Sequence, residues 1–247
     1  MEFRDVSFHY PSSPKDVLSH ISFRVERGQT LAIIGATGSG KTTLISLIAR
    51  FHDATGGQVL VDGADVREYA FDALYDRLGY VTQRAVLFSG DVESNVRFGQ
   101  SAGDPSEEAV YRALDLAQAT EFVAKLPQGV RAPIAQGGAN VSGGQKQRLS
   151  IARALARQPE ILIFDDSFSA LDYRTDARLR SGLARELGDT TRIIVAQRIG
   201  TIRDADQILV LDEGKAVGMG THDELMRTCP VYQEIARSQL SSEELGA

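Results

Sequence analysis

The sequence predicts an α/β fold whose core is a mainly parallel sheet. A continuous apolar run over 29–34 ends in Gly35 and is followed by helical periodicity over 42–50. Strand, glycine loop and helix in that order form a parallel-sheet unit. Two more apolar runs, 161–164 and 192–196, each follow a helical pattern. Because buried parallel strands alternate with helices in this way, these segments predict further strands of the same core.

Antiparallel strands are expected near both ends of the chain. Apolar and polar residues alternate over 3–10, which stops at Pro11, and similar short patterns occur at 21–25 and 59–61. These segments predict an antiparallel β subdomain. Near the carboxyl end, 207–212 and 215–219 flank Glu213-Gly214 as a hairpin, and Thr221 with Glu224 has the spacing of a helix capping box.

A helical subdomain is expected at roughly 86–157, inserted between core strands. Helix-forming patterns occur at 107–119 and 144–156, and Gly137-Gly138 interrupts them. We expect one domain over 1–247. The last stretch, 238–247, is polar, small and acidic, so it is expected to fray.

Composition excludes several classes of function. The formal net charge of -6 argues against a chain that neutralises a nucleic-acid backbone, so no nucleic-acid partner is expected. Cys229 is the single cysteine, which excludes an intrachain disulfide or a cysteine metal cluster. No apolar stretch of about twenty residues occurs, so we expect another segment or chain to supply any membrane spans.

A phosphate-binding loop lies between the first predicted core strand and its helix. Two glycines followed by Lys and Thr match the phosphate-cradling pattern in the required context. We expect backbone N–H groups and the helix amino terminus to hold the phosphates of ATP, Lys41 to reach the β- and γ-oxygens, and Thr42 to bind Mg²⁺. The candidate nucleotide-binding residues here are Gly35, Thr37, Gly38, Ser39, Gly40, Lys41, Thr42 and Thr43.

An acid is needed at the end of a neighbouring buried strand to complete the Mg²⁺ shell. Asp165 follows the apolar run 161–164 and fills this role. Asp166 comes next, where a base or a group that orients water is expected. A strand that ends in a solvated acid is common in isolation, but the upstream phosphate loop favours the functional interpretation.

A second phosphate clamp is predicted at Ser142-Gly143-Gly144-Gln145. A Ser-Gly-Gly turn at the start of a helix offers backbone donors and the positive end of the helix dipole. Alone this pattern is a weak signal. Between the phosphate loop and the acid strand, however, it closely resembles the signature motif of ATP-binding cassette (ABC) proteins, and the resemblance covers essentially the whole chain.

The resemblance implies the ABC ATPase fold and further site residues. Tyr10 would stack on adenine, and Gln83 would touch Mg²⁺ or water and transmit the nucleotide state to a membrane partner. Ser169 begins a loop, 169–172, that would cross a dimer interface. Segments 88–90 and 135–140 resemble those of exporter-type members, although Gln136 stands where the family has Glu.

Partners follow from the same resemblance. In this family two domains dimerise head to tail, and ATP lies between the phosphate loop of one and the signature turn of the other. A transmembrane domain, in the same or another polypeptide, would be driven by this dimer at the cytoplasmic face of the membrane. The expected activity is ATP hydrolysis coupled to transport.

Two departures from the family pattern affect hydrolysis. Asp166 occupies the position of the catalytic glutamate, and Gln197 occupies that of the switch histidine. An acid shorter by one methylene is misplaced by on the order of 1 Å, which can cost roughly a hundredfold in rate. Gln197 can donate a hydrogen bond but cannot carry the imidazole's proton. We therefore expect the site to bind ATP well and to hydrolyse it poorly.

The signature turn, by contrast, departs from the family only at Val141, which replaces leucine. A chain with a shortened catalytic acid and a nearly intact signature turn resembles the degenerate-site subunit of a heterodimeric ABC exporter, whose partner chain carries Glu and His. Tolerated variation in a competent ATPase is the simpler alternative.

Two other functions remain open. One is a soluble, non-transport ABC ATPase of the chromosome or ribosome type, although 41–142 lacks sustained heptads and the chain has one cassette. The other is an ATP-sensing regulatory subunit whose output is dimerisation.

Overall fold

The computed structural model describes residues 1–99 and 105–239. The chain divides into two compact units. The first unit comprises Met1–Leu74 and Thr191–Ala247, and the second comprises Tyr75–Thr190. The last described helix continues through Ser238 and Gln239, the first two residues of the stretch predicted to fray, and the rest of that stretch lies outside the described residues.

The strands of the described residues are β1 (Glu2–Phe8), β2 (Leu18–Arg24), β3 (Thr30–Ile34), β4 (Gly56–Val61), β5 (Ala64–Asp65), β6 (Leu78–Val81), β7 (Gly90–Asp91), β8 (Pro133–Ile134), β9 (Ile161–Asp165), β10 (Thr191–Val195), β11 (Gln207–Asp212) and β12 (Lys215–Gly220). The α-helices are α1 (Lys41–Ile48), α2 (Phe71–Tyr75), α3 (Val92–Arg97), α4 (Glu107–Leu116), α5 (Thr120–Ala124), α6 (Gly143–Ala156), α7 (Tyr173–Glu186), α8 (Ile199–Ile202), α9 (His222–Thr228) and α10 (Pro230–Gln239). Short 3₁₀ turns occur at Val66–Glu68, Gly129–Arg131 and Gln136–Gly138.

The first unit contains a parallel and an antiparallel sheet. β3 lies between β10 and β11 and is parallel to both, and β12 pairs with β11 as an antiparallel hairpin. Leu31 to Ile34 of β3 are almost fully buried, as expected for a central strand covered on both faces. The second sheet has the order β2-β1-β4-β5 and is antiparallel. These sheets confirm the mainly parallel core and the antiparallel β subdomain.

The second unit contains the helices predicted for the inserted region. α4 and α6 pack on each other, and α3 also packs on α6. β6 and β9 form a parallel pair with Val81 opposite Phe164. β6 was not predicted, because it has four residues and includes a glycine, which breaks the apolar run. Gly79 is needed there, since a Cβ atom would lie 2.8 Å from Leu162 and 3.2 Å from the Ala154 carbonyl oxygen.

Local sequence signals fix several element boundaries as predicted. The hairpin turn at Glu213-Gly214 has positive φ angles of 44° and 77°. Thr221 accepts a hydrogen bond from the backbone of Glu224, whose carboxylate accepts one from the Thr221 backbone, so the predicted capping box starts α9. Within the described residues, no helix has the length and apolar character needed to cross a membrane.

Candidate functional site

The phosphate loop lies in the first unit, between β3 and α1. Ala36, Thr37 and Gly38 at its crest are exposed, whereas Ser39 and Gly40 are buried. Gly40 has a φ of 101°, in the left-handed region that favours glycine, and it is the N-cap residue just before α1. A Cβ atom on Gly35 would lie 2.1 Å from the Leu211 carbonyl oxygen, so only glycine fits there. The loop therefore presents backbone rather than side chain to a ligand.

Lys41 lies over this loop. Its ammonium donates hydrogen bonds to the carbonyl oxygens of Gly35 and Ala36, each at 2.7 Å, and lies 3.4 Å from Ser39 Oγ. The cation is thus held at the rim of the loop, where it can reach an anion bound by the backbone N–H groups. Thr42 is exposed at the start of α1. The cradle formed by glycine backbone and the hard oxygen ligand of Thr42 fit a triphosphate with Mg²⁺.

Tyr10 lies beyond the end of β1 and is tied to the helix that follows the phosphate loop. Its hydroxyl is 3.1 Å from the Oγ1 atom of Thr43, which is buried. Its ring makes edge contacts with Phe8 at 4.9 Å and with His52 at 5.3 Å between centroids. These contacts fix the ring beside α1.

Gln197 follows β10 in the first unit and is exposed. Its backbone carbonyl accepts a hydrogen bond of 2.7 Å from the side-chain amide of Gln239, whose oxygen accepts another, of 2.9 Å, from the Ile199 N–H. Gln239 thus bridges α10 to the segment of the predicted switch residue. Nothing in the local sequence pattern pointed to Gln239, because its partners are 40 and 42 residues away.

The acid pair lies in the second unit, at the end of β9. Asp165 and Asp166 are each 7% exposed. Asp166 has a φ of 45°, so its backbone is left-handed, and its carbonyl accepts a hydrogen bond of 2.7 Å from Ser169 Oγ. Gln83 donates from Nε2 to Asp166 Oδ2 at 3.2 Å. The structure therefore brings Gln83 and Asp166, two of the predicted site residues, into contact.

Tyr80 is a neighbour of this pair that the sequence analysis missed. Its hydroxyl lies 3.5 Å from Asp165 Oδ2. Burial, and then the negative charge of Asp165, raise the pKa of Tyr80, so the hydroxyl stays protonated and can donate to the carboxylate. The pairing of β6 with β9 places the two residues close together, and this pairing is not visible in the sequence pattern.

The signature turn starts α6 with a capping box. Ser142 Oγ accepts from the Gln145 N–H at 3.3 Å, and Gln145 Oε1 accepts from the Ser142 N–H at 2.9 Å. Because a hydroxyl both accepts and donates, Ser142 can hold the helix and still donate its proton to a phosphate oxygen. Gly143 is exposed, and a Cβ atom there would meet no atom within 4 Å, so backbone at this turn is accessible.

Asp172, in the loop expected to cross a dimer interface, caps α7. Its carboxylate accepts from the Thr175 N–H at 3.0 Å and from Thr175 Oγ1 at 2.7 Å. These hydrogen bonds lower the pKa of Asp172, so the cap stays ionised at neutral pH.

Within residues 1–99 and 105–239, no group of three or more His, Cys, Asp or Glu side chains could hold a metal ion by itself. Of the predicted Mg²⁺ ligands, the Thr42 hydroxyl belongs to the first unit and the Asp165 carboxylate belongs to the second unit.

Comparison with known proteins identifies the family. The sequence profile of the ABC transporter family matches residues 18–169. An uncharacterized ABC transporter ATP-binding protein of Mycobacterium tuberculosis is 49% identical over 244 residues, which are 97% of this chain and 41% of that protein. An ATP-dependent lipid A-core flippase of Aromatoleum aromaticum is 42% identical over 98% of this chain and 40% of its own length.

A solved structure gives the same result. The structure of a bacterial Atm1-family ABC exporter with ATP bound superposes with a TM-score of 0.91 at 37% identity, over 97% of this chain and 42% of that chain. The present chain thus spans about two fifths of the length of these relatives. Together with the phosphate loop, the acid strand and the signature turn, these matches show that the chain belongs to the ABC transporter family and has the ABC ATPase fold.

Proposed function

We propose that this chain binds Mg-ATP and serves as the nucleotide-binding domain of an ABC exporter. The observation that carries the proposal is the phosphate loop, with its exposed crest and with Lys41 held at its rim by two carbonyl oxygens. In the proposed complex the loop backbone holds the phosphates and Tyr10 stacks on adenine. Thr42, Gln83 and Asp165 supply oxygen ligands to Mg²⁺, which neutralises charge on the transferred phosphoryl group.

The partners proposed for it are a transmembrane domain and a second nucleotide-binding domain at the cytoplasmic face of the membrane. Relatives that are more than twice as long as this chain, among them a flippase and an exporter, support this proposal. In the head-to-tail dimer, the signature turn of Ser142, Gly143, Gly144 and Gln145 contacts the nucleotide held by the other domain. ATP binding closes this dimer and drives transport.

Hydrolysis at this chain's own phosphate loop is proposed to be weak. Asp166 is the residue that would act as general base, and Gln83 donates a hydrogen bond to its carboxylate. The shorter acid reaches less far toward the attacking water, and Gln197 can donate a hydrogen bond to the γ-phosphate but cannot carry the charge of a protonated imidazole. Binding is preserved, because Lys41 and the loop backbone do not depend on either residue.

The intact signature turn supports a heterodimer. Ser142 and Gly144 would complete an active site on a partner chain that carries Glu and His at the two altered positions. One competent site and one weak site in a dimer follow from this pairing.

ATP binding is tested with a fluorescent ATP analogue. Lys41→Ala should weaken binding at least tenfold, because the charge-assisted contacts to the phosphates are lost. Lys215→Ala, on the exposed strand β12, is the matched control and should bind normally. Equal affinities for wild type and Lys41→Ala would refute the proposed site.

The heterodimer is tested with the full-length protein and the partner chain that copurifies with it. Substituting the acid of one chain at a time separates the two sites. Turnover should be abolished by Glu→Gln in the partner and reduced little by Asp166→Asn in this chain. Abolition by Asp166→Asn would place the competent site here.

A further inference from the structure

Helix α6 contacts both ends of the loop that carries Gln83. Gln147 Nε2 donates to the carbonyl oxygen of Thr82 at 3.2 Å, one residue before Gln83. Arg153 Nη1 donates to the carbonyl oxygen of Val86 at 2.9 Å, three residues after it. Both donors belong to the helix that starts at the signature turn. The backbone on either side of Gln83 is therefore attached to one rigid element.

Gln147 is buried, at 1% exposed, and its hydrogen bond to the exposed residue Thr82 is partly buried. Without this donor the Thr82 carbonyl loses its fixed partner on α6, and the backbone can move to find another partner or water. Six residues separate Gln147 from Arg153, about 9 Å along a helix, and this spacing sets the distance between the two ends of the loop.

The side chain of Gln83 continues this chain of contacts. Its Nε2 donates to Asp166 Oδ2 at 3.2 Å. Hydrogen bonds thus run from Gln147 to the backbone of Thr82, then through Gln83 to the acid. A shift of the Thr82 carbonyl would move the Gln83 amide from Asp166.

We infer that Gln147 is a positioning residue for hydrolysis. It fixes the carbonyl that precedes Gln83, and so couples the orientation of the signature helix to the group that faces Asp166. Gln147 acts only through Gln83. The inference rests on the proposed ATPase function, and it adds a route by which movement of α6 on dimer closure changes the hydrolytic site.

The test is single-turnover hydrolysis of γ-labelled Mg-ATP by the full chain. Gln147→Met removes the donor at nearly constant size and helix propensity, and it should lower the rate about tenfold, the effect of one lost positioning hydrogen bond. The affinity for ATP should not change, since the phosphate loop is built from other residues. Gln147→Leu is the second variant if Gln147→Met folds poorly.

The matched control is Gln233→Met. Gln233 Nε2 also donates to a backbone carbonyl, that of Met226 at 2.9 Å, but in the helices α9 and α10 of the first unit. The same substitution there should leave the rate unchanged. An equal loss in both variants would mean that Gln147 has only a general structural role.

A double-mutant cycle gives the decisive result. Because Gln147 acts through Gln83, adding Gln147→Met to Gln83→Ala should cause no further loss. Multiplied losses, or no loss from Gln147→Met alone, would overturn the inference.

If wild type binds no ATP, the proposed function fails. Amide hydrogen exchange of the nucleotide-free chain then tests the positioning alone. Exchange over 82–86 should be faster in Gln147→Met than in wild type and in Gln233→Met, and equal exchange would overturn the inference.

Discussion

Lengthening the acid at position 166 should raise hydrolysis and lower stability together. In Asp166→Glu the added methylene extends the carboxylate by about 1.5 Å, one carbon–carbon bond. Because a misplacement of roughly 1 Å can cost about a hundredfold in rate, the gain at this site should be about 10- to 100-fold, or ~1.4 to 2.7 kcal/mol of activation free energy. The upper limit would require that Gln197 imposes no further loss.

The stability cost follows from the same position. Asp166 is 7% exposed and has a φ of 45°, a conformation that Asp adopts more readily than Glu. Placing the longer side chain there also displaces the oxygen that accepts from Gln83 at 3.2 Å. We expect the free energy of unfolding to fall by about 1–2 kcal/mol, which lowers Tm by about 2–8 °C.

The assay is single-turnover release of labelled phosphate, with Tm measured on the same preparations. Asp166→Asn keeps the shape of the side chain but removes the base, so its rate of hydrolysis should fall below that of wild type. Asp166→Glu combined with Lys41→Ala should lose the gain, which ties the activity to this site. A folded, ATP-binding Asp166→Glu with the wild-type rate would refute the missing methylene as the main defect.

The remaining predictions concern the phosphate loop, the half-buried Arg153 and a histidine. Gly35→Ala should lower Tm more than Gly38→Ala, because the new Cβ at 35 would meet a backbone oxygen at 2.1 Å, whereas nothing lies within 4 Å at Gly38. Gly38→Ala, at a φ of 83°, should lower the free energy of unfolding by about 1–2 kcal/mol. Equal Tm values for the two variants would contradict this prediction. Arg153→Met should destabilise the chain by about 3 kcal/mol in urea unfolding, since three oxygen acceptors lose their donor, and a loss under about 1 kcal/mol would be inconsistent with these bonds. Burial, and then the charge of Arg203, lower the pKa of His222 in the folded chain. The unfolded chain therefore binds the proton more readily, so the free energy of unfolding should fall as pH drops below about 6.5. This fall should be smaller in His222→Gln.

The phosphate loop, the capping box of α9 and the hairpin could be predicted because their causes are local. Each depends on residues within a few positions, such as the backbone of Gly40 at a φ of 101° or the cap between Thr221 and Glu224. The apolar run of β3 was equally clear, since a strand buried on both faces needs no alternation. Fold class and phosphate binding follow from such signals.

Contacts between distant segments could not be predicted in this way. Gln147 and Thr82 are 65 residues apart, and Tyr80 and Asp165 are 85 apart. Both contacts depend on the pairing of β6 with β9 and on the packing of α6, which the periodicity of a single segment does not encode. Gln239 lies in a stretch whose composition predicts fraying, yet its amide holds the segment of Gln197.

Separate local hydrogen bonds hold the backbone at Asp166 and the signature turn, so a side-chain change at one need not disturb the other. The backbone at Asp166 is held by hydrogen bonds from Ser169 to its carbonyl, which do not involve the carboxylate. A change of side chain at 166 therefore alters the reach of the acid while the turn persists. The Ser142 cap depends only on Gln145, within its own helix. A shorter acid at 166 therefore leaves the Ser142 cap unchanged, and the proposed heterodimer, with one strong and one weak site, requires this independence.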